Sequence, residues 1–148
     1  MLTISDTRTA ADDTSGDAIA DALAAAGHQV VARRIVRDEP ALVRNFVIAH
    51  ASDAQVVITT GGTGITSRDT TYEAVSGLLE RTLDGFGELF RMLSYGDIGS
   101  AAMLTRACAG TIGRTVVFAL PGSPHAVTLA MNKLILPEMG HVIRELSR

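Results

Sequence analysis

Cysteine is almost absent from this chain, and the one present, Cys108, rules out an intrachain disulfide and a cysteine-based metal cluster. That usage fits a reducing, cytoplasmic compartment. A formal net charge of −3 leaves no basic surplus for broad nucleic-acid or membrane-surface binding. No apolar run approaches the roughly 20 residues needed to cross a bilayer, and the first residues lack the basic-then-apolar pattern of a targeting segment. His28, His50, His125 and His141 are scattered, without metal-ligand spacing. No Ser-His-Asp arrangement can be assembled. Aromatics are scarce at 4%, in a composition otherwise ordinary for a globular protein. At 148 residues the chain is long enough to bury a core and reads as one domain over 1–148.

What is present is an alternation of short apolar strands and helices. Residues 1–5 read as a buried strand ending at Ser5-Asp6-Thr7-Arg8. Met1 already looks like strand, so a few preceding residues are expected. Asp12, Asp13 and Thr14 offer N-cap oxygens to a helix that stops near Ala26, before Gly27. Val30 to Val36 predict a second strand, and Pro40 opens a helix whose buried stripe is Leu42, Val43, Phe46 and Val47. Gln55 to Thr59 predict a third strand, followed by a glycine-rich loop and a helix from about Thr71 to Arg81. Asp84 to Gly87 read as a turn and Glu88 to Tyr95 as a helix. Ile98 to Cys108 reads as a small-residue helix, either core or interface. Thr115 to Leu120 is a continuous apolar strand; the last helix spans Pro124 to Leu146, with Pro137 expected to bend it.

Strands alternating with helices imply an α/β fold with right-handed crossovers and a mostly parallel sheet covered on both faces. In such sheets ligands lie beyond the carboxyl ends of the strands. Here those ends carry Ser5-Asp6, Asp38, the loop Thr59 to Asp69, and the turn Pro121-Gly122-Ser123-Pro124. The polar chemistry therefore gathers on one edge.

In the loop, Gly61, Gly62 and Gly64 let the backbone approach an anion closely and turn N–H groups toward it, while Thr60, Thr63 and Ser67 add hydroxyls. The run is neither the Walker A pattern nor the dinucleotide fingerprint; a tight strand-to-helix turn is the plain alternative. Asp38 and Asp69 are the carboxylate pair suited to Mg²⁺, because phosphoryl and nucleotidyl transfer needs a metal on phosphate oxygens and positioned donors. Each aspartate taken singly also reads as a helix N-cap. Asp6 and Arg8 suit a polar ring or a phosphate, or a surface ion pair. Arg68 suits a phosphate or plain solvent. Ser123 offers a hydroxyl to a ligand or belongs to a rigid turn. His125 reads as a helix-start residue, and Cys108 as a buried structural thiol.

Ser5 to Arg8, Asp13 to Gly16, Asp38-Glu39, Thr59 to Gly64, Arg68-Asp69, Gly85 to Glu88 and Leu120 to Pro124 together resemble the MoaB/MogA family of molybdenum-cofactor biosynthesis, over essentially the whole chain. Phe86 to Tyr95 and Ser100 to Ala107 are more similar to the MoaB branch. The resemblance implies a three-layer α/β/α sandwich that binds molybdopterin. It implies adenylylation of molybdopterin with Mg²⁺ and ATP, releasing pyrophosphate, or pterin binding and carriage with little catalysis. The family's two essential aspartates match Asp38 and Asp69. Ser5, Asp6 and the segment Pro121, Gly122, Ser123 match regions lining the pterin and nucleotide site. A homotrimer or hexamer and a downstream molybdenum-insertion protein are the implied partners. The chain departs from the family at Tyr72 and Asp84, where proline is common.

Overall fold

A computed structural model describes residues 1–148. The elements run β1 (Leu2–Ile4), α1 (Thr14–Ala25), β2 (Arg34–Val36), α2 (Pro40–His50), β3 (Val56–Thr60), α3 (Thr71–Ser76), β4 (Arg81–Thr82) and α4 (Asp84–Ile98). A 3-10 segment (Gly99–Leu104) leads to β5 (Cys108–Ile112) and β6 (Thr115–Leu120). Then come α5 (Pro124–Ala130), a π-helical turn (Met131–Ile135) and α6 (Leu136–Leu146). No helix is long and apolar enough to cross a membrane.

One mixed six-stranded sheet has the order β2-β1-β3-β6-β5-β4. Its first four strands are parallel, with Val56–Thr60 registered against Val116–Leu120; on the other flank β5 pairs antiparallel with β6 and β4 antiparallel with β5. The two-residue side-chain period of β6 splits the core. Val116, Phe118 and Leu120 pack with Ile19, Phe90, Val127, Ile135 and Met139 from α1, α4, α5, the π turn and α6. Val117 and Ala119 pack with Val43, Val47, Ala74 and Val75 from α2 and α3. The sheet thus lies between two helical layers, as an α/β/α sandwich with a mostly parallel centre. Each fully buried aliphatic or Phe side chain contributes about 1.5–3 kcal/mol by leaving water.

Several local readings change. The stretch Ile98 to Cys108 is not a helix: Gly99, at φ 63°, ends α4, a 3-10 segment follows, and the chain turns extended at Thr105. Residues 108–112 then form β5, hairpinned to β6 through Gly113 at φ 56°. Ala and Gly repeat there at short intervals, which mimics helix content; the strand is dictated by its ladder with β6. The helix after the loop stops at Ser76, because Glu80 and Leu83 donate their N–H groups to Thr111 and Ala109 across β5. Asp84 to Gly87 open α4 instead of forming a turn, with Asp84 at the positive end of the helix. Only Arg34 to Val36 of the second strand pair with β1. Pro137 does not break the last helix. It sits in the first turn of α6, where its missing N–H is harmless, and the π turn precedes it.

Candidate functional site

The carboxyl ends of β1, β3 and β6 open into a cleft of about 520 Å³. Its floor is the loop Gly61 to Gly64; its walls are Ser5 and Arg8 after β1, Pro121 to Ser123 after β6, Ser15 of α1, and Ala101, Leu104 and Thr105 from the 3-10 segment and its end.

The loop leaves β3 through two glycines in the left-handed region, Gly61 at φ 104° and Gly62 at φ 68°. A Cβ on Gly61 would collide with the Ile4 carbonyl, and one on Gly62 would lie 2.6 Å from Asp38 Oδ2 and against the Thr71 hydroxyl. Glycine is required at both for conformation and for space. Gly61 N–H donates to the Leu120 carbonyl (2.9 Å), and Thr60 Oγ1 donates to the Pro121 carbonyl (2.8 Å), so the loop and the Pro121 turn are fastened together. Gly61 N–H is therefore committed to the fold. The N–H groups of Gly62, Thr63 and Gly64 donate to no other group of the protein. Three successive unpaired amides on the cleft floor are the kind of backbone donors that can receive an anion.

Asp69 lines the cleft, and its Oδ2 accepts from Thr66 N–H (2.8 Å) and Thr66 Oγ1 (2.6 Å), leaving Oδ1 outside these bonds. Asp38 is buried behind the loop, off the cleft wall. Its Oδ1 accepts from Thr70 Oγ1 (2.7 Å) and Thr70 N–H (3.3 Å), again with Oδ2 outside the pair. The two aspartates thus grip neighbouring residues of one loop, and each keeps one carboxylate oxygen. Neither is the N-cap of the following helix: the caps of α2 and α3 are Glu39 and Thr70. No group of three or more acidic, His or Cys side chains gathers around a common point. Each remaining oxygen is, taken singly, the kind of ligand Mg²⁺ accepts, since that ion takes one or two carboxylates and completes its shell with water and phosphate oxygens.

Asp6 and Ser67 stand on the surface beside the cleft, not on its wall. Asp6 Oδ2 accepts from Arg68 Nη2 (2.8 Å) and Nε (3.1 Å), and its Oδ1 accepts from Asp38 N–H (3.1 Å). The Arg68 hydrogen bonds, then that backbone N–H, hold the Asp6 carboxyl below the usual range. Arg68 thus closes the loop onto β1's end and is not free for a phosphate. Ser5 Oγ accepts from Thr7 N–H (3.2 Å) and Arg8 N–H (3.0 Å), which turns the chain so that Arg8 faces the cleft. Arg8 Nη1 is steadied by the Asp12 carbonyl (2.5 Å) and Thr14 Oγ1 (3.2 Å). Ser123 Oγ accepts from Ala126 N–H (3.4 Å) as the N-cap of α5, while still lining the cleft.

Arg106 is the residue that sequence reasoning missed. From just before β5 it reaches back to donate to the Gly64 carbonyl through Nε (2.9 Å) and Nη2 (2.5 Å), and to the Asp69 carbonyl (3.1 Å). It pairs with Glu73 and lies 5.1 Å over the Tyr72 ring; the Arg106 hydrogen bond holds the Glu73 carboxyl low. The loop is therefore clamped from a position 42 residues away, a partnership no local spacing announces.

A family model described as "Probable molybdopterin binding domain" matches residues 1–141. A Molybdenum cofactor biosynthesis protein B from Bacillus cereus is 58% identical over 151 aligned residues, which cover 100% of this chain and 89% of that protein. A crystal structure of a Molybdenum cofactor biosynthesis protein B superposes with a TM-score of 0.96 at 58% identity, covering 99% of this chain and 93% of that one. The Molybdopterin biosynthesis enzyme MoaB from Thermus thermophilus superposes at 0.86 with 33% identity, covering 99% and 93%.

Proposed function

The chain belongs to the MoaB family of molybdenum cofactor biosynthesis proteins, and from that premise we propose that it adenylylates molybdopterin in the cleft beyond β1, β3 and β6. The observation that carries the reading is the row of unpaired Gly62, Thr63 and Gly64 amides set beside Asp69 and Arg8. On this reading 1–148 is one pterin-binding unit.

An oxygen of the molybdopterin phosphate attacks the α-phosphorus of ATP, the bond from that phosphorus to the bridging oxygen breaks, and pyrophosphate leaves. The attacking phosphate is already ionised at neutral pH, so no strong general base is needed. The Gly62 to Gly64 amides hold phosphate oxygens in place, and the steadied Arg8 guanidinium supplies a further positive donor. Thr66 and Thr70 orient the Asp69 and Asp38 carboxylates through one oxygen each, so that the other oxygens are available to hold Mg²⁺. When bound, Mg²⁺ neutralises charge on the phosphates. Ser5, Pro121, Gly122 and Ser123 shape the wall on which the substrates lie, and Asp6 acts from outside by holding Arg68 and Asp38.

The apolar side chains Leu89, Met92, Tyr95, Ile98, Met103 and Leu104 are exposed along α4 and the 3-10 segment. They are the surface through which we expect a trimer or hexamer to form. The cytoplasm is the compartment, and a molybdenum-insertion protein the recipient of the product.

The test is pyrophosphate release from Mg-ATP, measured with and without molybdopterin. Release only with molybdopterin present, and its loss in Asp69→Asn with the circular dichroism spectrum unchanged, is the expected result. Normal turnover by Asp69→Asn overturns the metal-site assignment. Molybdopterin binding without any pyrophosphate release replaces the enzyme by a pterin-binding or carrier protein.

A further inference from the structure

Behind the glycine loop stands a polar pair that the fold leaves incomplete. Thr71 is fully buried, and its hydroxyl pairs with no group of the protein. Asp38, also buried, spends Oδ1 on Thr70 through Oγ1 (2.7 Å) and N–H (3.3 Å), while Oδ2 accepts no hydrogen bond. The two idle oxygens flank one point: a Cβ on Gly62 would lie against Thr71 Oγ1 and 2.6 Å from Asp38 Oδ2. Glycine at 62 therefore does more than allow φ 68°; it keeps clear the space between hydroxyl and carboxylate. Gly62 also ties the pair to the cleft. Its carbonyl accepts from Thr71 N–H (3.0 Å), and its own N–H is one of the unpaired donors on the cleft floor. A buried hydroxyl without a partner costs stability, and native proteins keep few of them.

We propose that Thr71 is a positioning residue for Asp38: its hydroxyl is idle in the empty protein and donates to Asp38 Oδ2 once an anion occupies the Gly62 N–H. The inference rests on the phosphate reading of the main cleft and adds how the occupied loop fixes the aspartate behind it. An anion on the cleft floor draws Gly62 toward it. That movement withdraws the Gly62 Cα from beside the two oxygens, and the carbonyl of Gly62 carries it to Thr71, the first residue of α3. Threonine supplies the one O–H donor required, and a carboxylate oxygen can accept it and still serve a further partner. Thr70 and Thr71 then grip Oδ1 and Oδ2 respectively, and the carboxylate no longer turns. A ligand shifts such an equilibrium only through contacts that differ between the two states. Here the differing contact is the Thr71 bond. The pairing therefore has a signature: the hydroxyl weakens the empty protein and strengthens the occupied one. A hydroxyl with a purely structural partner would instead stabilise the empty protein.

The test sets the thermal stability of the ligand-free protein against its affinity for Mg-ATP, measured by calorimetry. The variants are Thr71→Val, Thr71→Ser, and Asp38→Asn with and without Thr71→Val. The Thr71 side chain does not cap α3, so valine keeps the helix start and removes only the hydroxyl. Thr71→Val should raise Tm by about 2–4 °C. It should weaken Mg-ATP binding by about tenfold or more, the worth of a hydrogen bond to a charged group. Thr71→Ser, which retains the hydroxyl, should keep wild-type affinity. Asp38→Asn should bind more weakly, and adding Thr71→Val should weaken it no further, because the hydroxyl acts through the carboxylate. A lower Tm for Thr71→Val shows that the hydroxyl has a partner in the empty protein, such as a bound water, and overturns the inference. Full additivity of the two substitutions separates the hydroxyl from Asp38 and likewise overturns it. Equal affinity in wild type and Thr71→Val overturns it while leaving the cleft reading standing. A wild type that binds no Mg-ATP overturns both.

Discussion

Removing the Arg106 guanidinium should loosen the glycine loop without dismantling the sheet. Arg106 supplies charged hydrogen bonds to two loop carbonyls, those of Gly64 and Asp69. A charge-assisted hydrogen bond contributes about 1.5–3 kcal/mol net. With 28% of the side chain exposed, the lower end applies to each, because solvent partly replaces the lost donor. The stacked Tyr72 ring adds about 0.5–1 kcal/mol. The Glu73 partner is 60% exposed in its side chain, so that ion pair adds at most about 1 kcal/mol and commonly nothing. Arg106→Ala should therefore cost about 3.5–4 kcal/mol, a fall in Tm of roughly 7–16 °C for a chain of this size. Urea unfolding checks the total. Amide hydrogen exchange checks the location: residues 61–69 should exchange faster in the variant, while β3 and β6 stay protected. Molybdopterin affinity should fall with the loop's order. Arg106→Lys should recover only part of the loss, since an ammonium cannot span both carbonyls as a planar guanidinium does. A cost below about 1 kcal/mol, with exchange across 61–69 unchanged, would show that the loop holds its shape without the clamp.

Asp6 carries a pH-dependent link between β1's end and the loop. Its carboxyl is held low chiefly by Arg68, so the stabilisation is fully present above the ordinary aspartate value near 3.9 and fades as pH falls through the lowered folded value. Asp6→Asn should unfold more readily than wild type at pH 7, and the difference should vanish in acid, as read by unfolding midpoints across pH. Burial pushes the Cys108 thiol up to about 11. Its alkylation by iodoacetamide at pH 8 should be about two orders of magnitude slower than for a free thiol, rising on unfolding in urea; fast labelling of the folded protein would contradict that burial.

Much of the site was legible because it depends on local chemistry. Glycines after an apolar strand announce a backbone approach. The run Thr59 to Asp69 could be placed at a strand's carboxyl end by period and punctuation alone. Asp13 was legible as one of three candidate caps for α1, and its Oδ1 does accept the Gly16 N–H. What escaped the sequence was pairing at a distance. The β4–β5 flank was missed because Cys108 to Ile112 owes its strand to the ladder with β6, and Arg81-Thr82 is too short to show a period. Arg68 was read as solvated or phosphate-bound; it is spent on Asp6, 62 residues away.

By itself, then, the sequence determined the layered α/β plan, the edge of the sheet where polar residues gather, and the glycine loop as a close backbone turn at that edge. Those follow from side-chain period, turn-forming residues and the steric freedom of glycine, all properties of neighbours in the chain. The tertiary structure alone decided which donors remain available. It committed Gly61 N–H to Leu120 and left Gly62 to Gly64 N–H groups unpaired, set Asp38 behind the loop and Asp69 on its face, and brought Arg106 across to hold the Gly64 and Asp69 carbonyls. Hydrogen-bond partners separated by tens of residues meet only after the sheet has paired, and for that reason no reading along the chain could assign them.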